Sequence, residues 1–331
     1  MKWNRLLSIV MGTALMFSQT NAYAFVKGAD VSWVSQMESA GYRFNNSQGQ
    51  SQDLFAILKS YGINTIRLRV WVNSGYYNSI EDVLQKAKRA KTAGMAIMID
   101  FHYSDTWADP GHQSTPSAWK NYDLNGLMKA MWWYTHDALT QLKNAGITPA
   151  YVQVGNETNN GMMWPLGKAS ANMRNFAWLI NTGYDATKNV FPNAKVIVHL
   201  ANCQNNSTFR WIFDGIGKYG AKYDIIGASI YPTNVSGESW QLAEEQCYNN
   251  LNDMVSRYNK NVIISEIGAP WNAKESQSIV ATMINYVYRV KNNRGLGLLY
   301  WEPEAANFQK YTMGAWDPNT MRPMNTLNAF K

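Results

Sequence analysis

Two glutamates stand just past short aliphatic runs: Glu157 closes Tyr151-Val-Gln-Val-Gly-Asn-Glu157, and Glu266 closes Val262-Ile-Ile-Ser-Glu266. Each run reads as a buried strand that stops at a polar residue. A carboxylate at such a place is costly unless it is hydrogen-bonded or has chemistry to perform. A pair of carboxyls facing each other across a cleft is what cleavage of a glycosidic bond requires, one as proton donor and one as anionic partner. If they lie about 5–5.5 Å apart, the anion can attack the anomeric carbon directly. The expected assignment is Glu266 as nucleophile and Glu157 as acid, then base. An ionised Glu266 nearby, together with partial burial, should keep Glu157 protonated near neutral pH.

Other polar and aromatic residues fall at comparable positions. Asp30, Arg69, His102, Asn156, His199, Tyr231 and Trp301 each lie at or near the end of an apolar run, and Trp271 follows Glu266 by five residues. Arg69 and Tyr231 are expected to hold Glu266 ionised and oriented, and Asn156 to bond a sugar 2-hydroxyl. His102 and His199 serve the site or satisfy buried backbone groups. The acids Asp105, Asp109, Glu302 and Glu304 read as loop or capping groups. Tryptophan is abundant, with 14 in the chain, and indole faces stack on the C–H faces of sugar rings. Trp164 and Trp271, in loop segments, are the expected platforms; Trp132, Trp133 and Trp178, in helical patterns, are expected in the core. Four histidines without ligand spacing point to no metal site.

Such residues need strands to hold them at one rim. Eight apolar runs can be marked: Phe25–Val31, Thr65–Trp71, Ala96–His102, Tyr151–Gly155, Lys195–Leu200, Ile225–Ile230, Val262–Ser265 and Gly297–Trp301. Amphipathic stretches separate most of them. One runs from a capping Ser51 to Gly62, another from Ile80 to Gly94, a third from Met131 to Gly146, each ending at glycine as helices do. Strand alternating with helix implies parallel strands joined by crossover helices. Eight such units in about 300 residues favour a single-domain α/β fold, the (β/α)8 TIM barrel, with chemistry at the C-terminal ends of the strands. A doubly wound sheet is the alternative, but no Gly-x-Gly-x-x-Gly turn follows the first strand.

The first 24 residues read as a signal peptide: Lys2 and Arg5, an apolar stretch from Leu6 to Phe17, then Ala22-Tyr23-Ala24. The stretch is short for a membrane span. Residues 25–331 then form the catalytic domain, secreted or periplasmic, with no membrane attachment once the leader is removed. The formal charge of +7 falls to +5 without Lys2 and Arg5. That excess is spread without a Lys/Arg run, which argues against nucleic-acid binding and leaves a weak attraction to acidic polysaccharide. Cys203 and Cys247 are free to pair or not in an oxidising compartment. Nothing in the sequence requires more than a monomer.

The chain resembles the endo-β-1,4-galactanases of glycoside hydrolase family 53. The likeness rests on Lys27-Gly-Ala-Asp-Val-Ser-Trp33, Ile66-Arg-Leu-Arg-Val-Trp71 and Asp100-Phe-His-Tyr-Ser-Asp-Thr-Trp-Ala-Asp-Pro-Gly111. It continues through Gln153-Val-Gly-Asn-Glu-Thr-Asn-Asn-Gly-Met-Met-Trp-Pro-Leu-Gly167, Ser265-Glu-Ile-Gly268 and Tyr300-Trp-Glu-Pro303. The resemblance implies a (β/α)8 barrel, hydrolysis of β-1,4-galactan in pectic arabinogalactan side chains, and retention of configuration, with acid/base Glu157 and nucleophile Glu266. Some bacterial members bind calcium in long loops after the last two strands. Here those connections are short, so neither calcium nor any other cofactor is expected, and the expected partner is the polysaccharide alone.

Overall fold

The computed structural model describes residues 24–331; of the expected leader, residues 1–24, all but Ala24 lie outside them. Eight strands form one closed, all-parallel barrel in sequence order. They are β1 (Val26–Asp30), β2 (Thr65–Val70), β3 (Ala96–Phe101), β4 (Tyr151–Val154), β5 (Lys195–Leu200), β6 (Ile225–Ile230), β7 (Asn261–Ile267) and β8 (Gly295–Trp301). Each coincides with an apolar run read from the sequence, because strands covered on both faces leave little room for polar side chains.

Among the described residues eight α-helices surround the barrel: α1 (Val34–Ser39), α2 (Leu54–Ser60), α3 (Ile80–Thr92), α4 (Leu124–Asn144), α5 (Met173–Val190), α6 (Asn206–Gly217), α7 (Trp240–Tyr258) and α8 (Ser276–Tyr288). Asp53, Ser79, Asp123, Asn172, Asn205 and Ser239 cap α2 to α7 by accepting first-turn N–H groups. Such caps are worth about 1 kcal/mol each. Two starts differ from expectation. Asp53, not Ser51, caps α2, and α4 begins at Leu124 rather than Met131. Gly62, Gly94 and Gly146 do end their helices, with φ of +91°, +69° and +69°, the left-handed turn that glycine takes without a Cβ clash. Cys203, after β5, is disulfide-bonded to Cys247 on α7.

Side chains alternate along a strand, so every second residue points into the barrel. At the N-terminal end these are Val26, Met98, Tyr151, Ile197, Ile225, Ile263 and Leu299, which form a separate apolar cluster. One or two pleats further along, the inward positions turn polar: Asp30, Arg67, Asp100, Gln153, His199 and Ser229, all buried. The barrel is thus plugged by hydrocarbon below and by charge above.

Candidate active site

Arg67 organises the polar layer. One guanidinium nitrogen reaches Asp30 Oδ2 at 2.8 Å and Glu266 Oε1 at 2.9 Å. The other reaches Asp100 Oδ2 at 2.9 Å and donates to Asn156 Oδ1 at 2.8 Å. Burial alone would lower this arginine's pKa, but Asp100, Glu266 and Asp30 outweigh it and hold it charged. Sequence reasoning gave this role to Arg69. The structure corrects it: Arg69 pairs with Glu302 at 2.6 Å. Arg67 and Arg69 share a strand face, and only the register decides between them: Arg67 is the residue opposite Asp30 on β1.

Glu157 and Glu266 meet across the mouth, with carboxylate oxygens within 4.8 Å of each other. Burial, with Asp109 and Asp100 adding to it, pushes Glu157 up to about 7; burial, with Glu157, Asp100 and Asp30 adding to it, pushes Glu266 up to about 8. They therefore titrate as a pair that keeps one proton near neutrality. The bonds around each carboxyl are unequal. Glu266 is ion-paired with Arg67 and accepts from the Tyr231 hydroxyl at 3.1 Å, both favouring its anion. Glu157 has no guanidinium at bonding distance; its hydrogen-bond partner is Ser229. We place the pair's proton on Glu157 for that reason. Its backbone has φ of +47°, and Tyr103, Asn202 and Glu302, past other strand ends, are also left-handed. Such conformations cost roughly 1–3 kcal/mol each.

The remaining expected residues divide into lining and support. His102, Asn156, Tyr231 and Trp301 line the cleft, with Trp107, Tyr311 and Asn234, which the sequence reading did not assign to it. Asp30 and His199 are fully buried beneath it. His102 accepts from the Trp71 indole at 3.0 Å and donates to Asp100 at 3.0 Å. His199 donates to Asn156 Oδ1 at 3.0 Å and meets Ser229 Oγ at 2.7 Å. Burial, then the charge of Arg67, lowers its pKa well below the usual value, so it is neutral. Trp271 is half-buried beside Thr312 and is not among the residues lining the cleft. Trp164 stands against another groove, with Gln113 and Thr115. The indoles at the cleft that holds both glutamates are Trp107 and Trp301, 5.9 Å apart. Arg69 sits against Trp107, 4.4 Å from its ring, held by Glu302, which also accepts from Trp33 N–H. Glu302 and Glu304, read as loop or capping groups, are fully buried.

The cleft has two arms. One contains Trp107, Trp301, Tyr311 and Met313; the other contains Ala201, Asn202, Gln204 and Val235. They meet at Glu157, Tyr231 and Asn234, so a long chain can extend on both sides of the acid. Glu157, His199 and Glu266 also offer three metal-type ligand atoms within 4.8 Å. Both His199 nitrogens are engaged and Glu266 is tied to Arg67, which suits an acid–base site better than a cation cage.

Residues 26–329 match the family model described as glycosyl hydrolase family 53. The chain is 36% identical over 303 residues to an arabinogalactan endo-β-1,4-galactanase of Humicola insolens, covering 84% of this chain and 89% of that one. A solved structure from a study of two fungal β-1,4-galactanases superimposes with a TM-score of 0.84 and 32% identity, covering 92% of this chain and 98% of that one. The family 53 catalytic domain of Ignisphaera aggregans gives a TM-score of 0.84 at 28% identity, covering 93% and 95%.

Proposed function

Because the chain belongs to glycosyl hydrolase family 53, we propose that it cleaves β-1,4-galactan, the side chains of pectic arabinogalactan, at internal bonds and with retention of configuration. The observation that carries this reading is the glutamate pair: oxygens within 4.8 Å, with Arg67 and Tyr231 bonded to Glu266. Inverting glycosidases hold their carboxyls roughly 6.5–9.5 Å apart to admit a water between them. The galactanase names of relatives supply the substrate class, and the two-armed cleft supports internal cutting.

In the first step a Glu266 oxygen forms a bond to the anomeric carbon while the glycosidic C–O bond breaks. Glu157 gives its proton to the departing oxygen. In the second step Glu157 takes a proton from water, whose oxygen bonds to the same carbon and frees the Glu266 carboxylate. Two inversions restore the starting configuration. Arg67 and Tyr231 stabilise that carboxylate at the start and as it departs. Asn156 spends one amide N–H on the Ala108 carbonyl and keeps its second for a sugar hydroxyl in the cleft. Trp107 and Trp301 offer indole surface to sugar on their arm.

The test is reducing-sugar release from linear β-1,4-galactan beside mannan, xylan and carboxymethyl-cellulose. Short galactooligosaccharides from galactan alone are expected; release from another glycan instead would overturn the substrate. Glu266→Ala and Glu157→Ala should each cut the rate by a factor on the order of 10^4 or more. Only Glu157→Ala should regain the first step with an activated aryl leaving group, which needs no proton, seen as a burst of released aglycone; turnover should then return on adding azide, a nucleophile that needs no base. Near-parent rates in both variants would refute the assignment.

The protein is further expected to act outside the cytoplasm as a monomer, after loss of residues 1–24. Among the described residues no helix is long and apolar enough to cross a membrane. N-terminal sequencing of the exported protein should begin at Phe25, whereas an intact Met1 would exclude cleavage there.

A further inference from the structure

Trp132, Trp133 and Trp178 lie on the outer wall of the barrel, contrary to the core position expected from their helical pattern. Trp133 is 59% and Trp178 38% exposed. Helices α4 and α5 bury Leu127, Met131, Leu139, Phe176 and Ile180 in the core, and the indoles stand on other faces. Scattered exposed aromatics are ordinary, but here Trp132 and Trp178 flank a groove. Asn125, Lys129 and Trp132 from α4 and Trp178 and Asp185 from α5 line an open groove of about 600 Å³. The spacings 125/129/132 and 178/185 put each set on one helix face.

The indoles are held in place. Trp132 stacks on His136, centroids 4.9 Å apart and planes within 13°, and the Arg174 guanidinium sits 5.0 Å from the Trp178 ring. Polar groups rim the groove: the exposed Asn125 amide, and Asp185 paired with Lys222 at 3.0 Å. Indole faces edged by an amide and a carboxylate suit a sugar chain, which has apolar C–H faces and a hydroxyl rim. Lys222 and Asp185 neutralise each other, which leaves Lys129 as the single uncompensated charge among the lining residues and the groove far from the cation-rich surface a polyanion would need.

One stretch of chain, residues 109–132, runs from the catalytic cleft past a second groove to this one. Asp109 lines that cleft, and Gly111, His112 and Gln113 line the next groove. Gln113 donates to the Asn156 carbonyl at 2.7 Å, tying the two together. Tyr122 closes that second groove, and Asn125, three residues on, opens the α4–α5 groove. We propose that the α4–α5 groove is a second polysaccharide site that holds a neutral β-galactan chain, a reading that rests on the galactanase assignment.

The experiment uses the full mature enzyme carrying Glu266→Ala, which binds without turnover, and native gel retardation by linear β-1,4-galactan. With galactotetraose saturating the catalytic cleft, retardation by the polymer should persist. Adding Trp132→Ala and Trp178→Ala should weaken it by about tenfold. In the active enzyme the same two changes should leave galactotetraose hydrolysis unchanged and slow hydrolysis of dilute polymer. Asn125→Ala, which keeps both indoles, should weaken retention less; if the double variant fails to fold, no effect of Asn125→Ala overturns the proposal. Undiminished retention in the folded double variant also overturns it. So does stronger retention by polygalacturonate than by galactan, or a parent dimer in sedimentation that the tryptophan changes dissociate. Failure of the parent to cut galactan at all would instead remove the galactanase reading beneath it.

Discussion

Glu266 has a guanidinium beside it and Glu157 has none, an asymmetry that sets how the pair should respond to pH. As pH rises past roughly 7–8, the range to which burial pushes both groups, the shared proton is lost and with it the acid. As pH falls, a second proton neutralises Glu266, the proposed nucleophile. The expected rate profile is therefore a bell, its limbs reporting the pair. Arg67→Lys should lower kcat on the order of 10^2-fold and move the acid limb upward. A lysine is a single point charge and cannot serve Asp30, Asp100, Glu266 and Asn156 with one planar fork. An acid limb unmoved in this variant would show that Arg67 does not set the ionisation of Glu266.

At the level of elements, each strand delivers its side chains to the rim, and sharp left-handed turns at Tyr103, Glu157, Asn202 and Glu302 carry the chain away. The segment after β5 has a further restraint, the Cys203–Cys247 bond to α7, reinforced where Asn250 donates to the Cys203 carbonyl at 2.8 Å. Closing a loop across a sequence separation of 44 residues should stabilise the fold by roughly 4 kcal/mol through the unfolded chain. Denaturant unfolding of the Cys203→Ala/Cys247→Ala protein reads this directly, and a loss below about 1 kcal/mol would leave the bond a minor contributor. Alternation along β2 brings Arg67 and Arg69 to the same face. Register then gives Arg67 to the glutamates and Arg69 to Glu302 and the Trp107 ring.

Across the whole molecule, stability should itself depend on pH through a group remote from catalysis. Glu244 on α7 is fully buried, and neither carboxyl oxygen has a hydrogen-bond partner in the protein. Burial pushes it up to about 9, above the roughly 4.3 of an unfolded chain. The sign follows from proton binding. Below about pH 4 both states hold the proton; between there and 9 the unfolded state releases it and the folded state does not. Stability from this group is therefore complete in acid and is lost as pH rises to 9. Glu244→Gln, which never ionises, should unfold several degrees higher than the parent at pH 8, on the order of 5–10 °C, and at a similar temperature at pH 4.5. Equal melting temperatures at pH 8 would show that Glu244 is solvated.

What the sequence determined by itself is what local pattern encodes. Eight buried strands announce themselves as apolar runs, and the glutamates that follow two of them stand out because a carboxylate there is costly. The (β/α)8 barrel follows from alternation, and Tyr231 was legible as the residue closing β6. The tertiary structure decided everything that depends on register and on which way a helix faces. Arg67 and Arg69 are equivalent in sequence until β1 sets Asp30 opposite one of them. Trp107 reaches the cleft and Trp271 does not, because loops carry no periodicity from which direction can be read. The pairing of Cys203 with Cys247 required proximity that spacing does not supply. Trp132, Trp133 and Trp178 share helices with core residues, yet only the packing of α4 against α5 shows that these indoles face outward. Hydrophobicity states that a side chain gains from leaving water; the packed neighbours determine whether the protein or a ligand provides the cover.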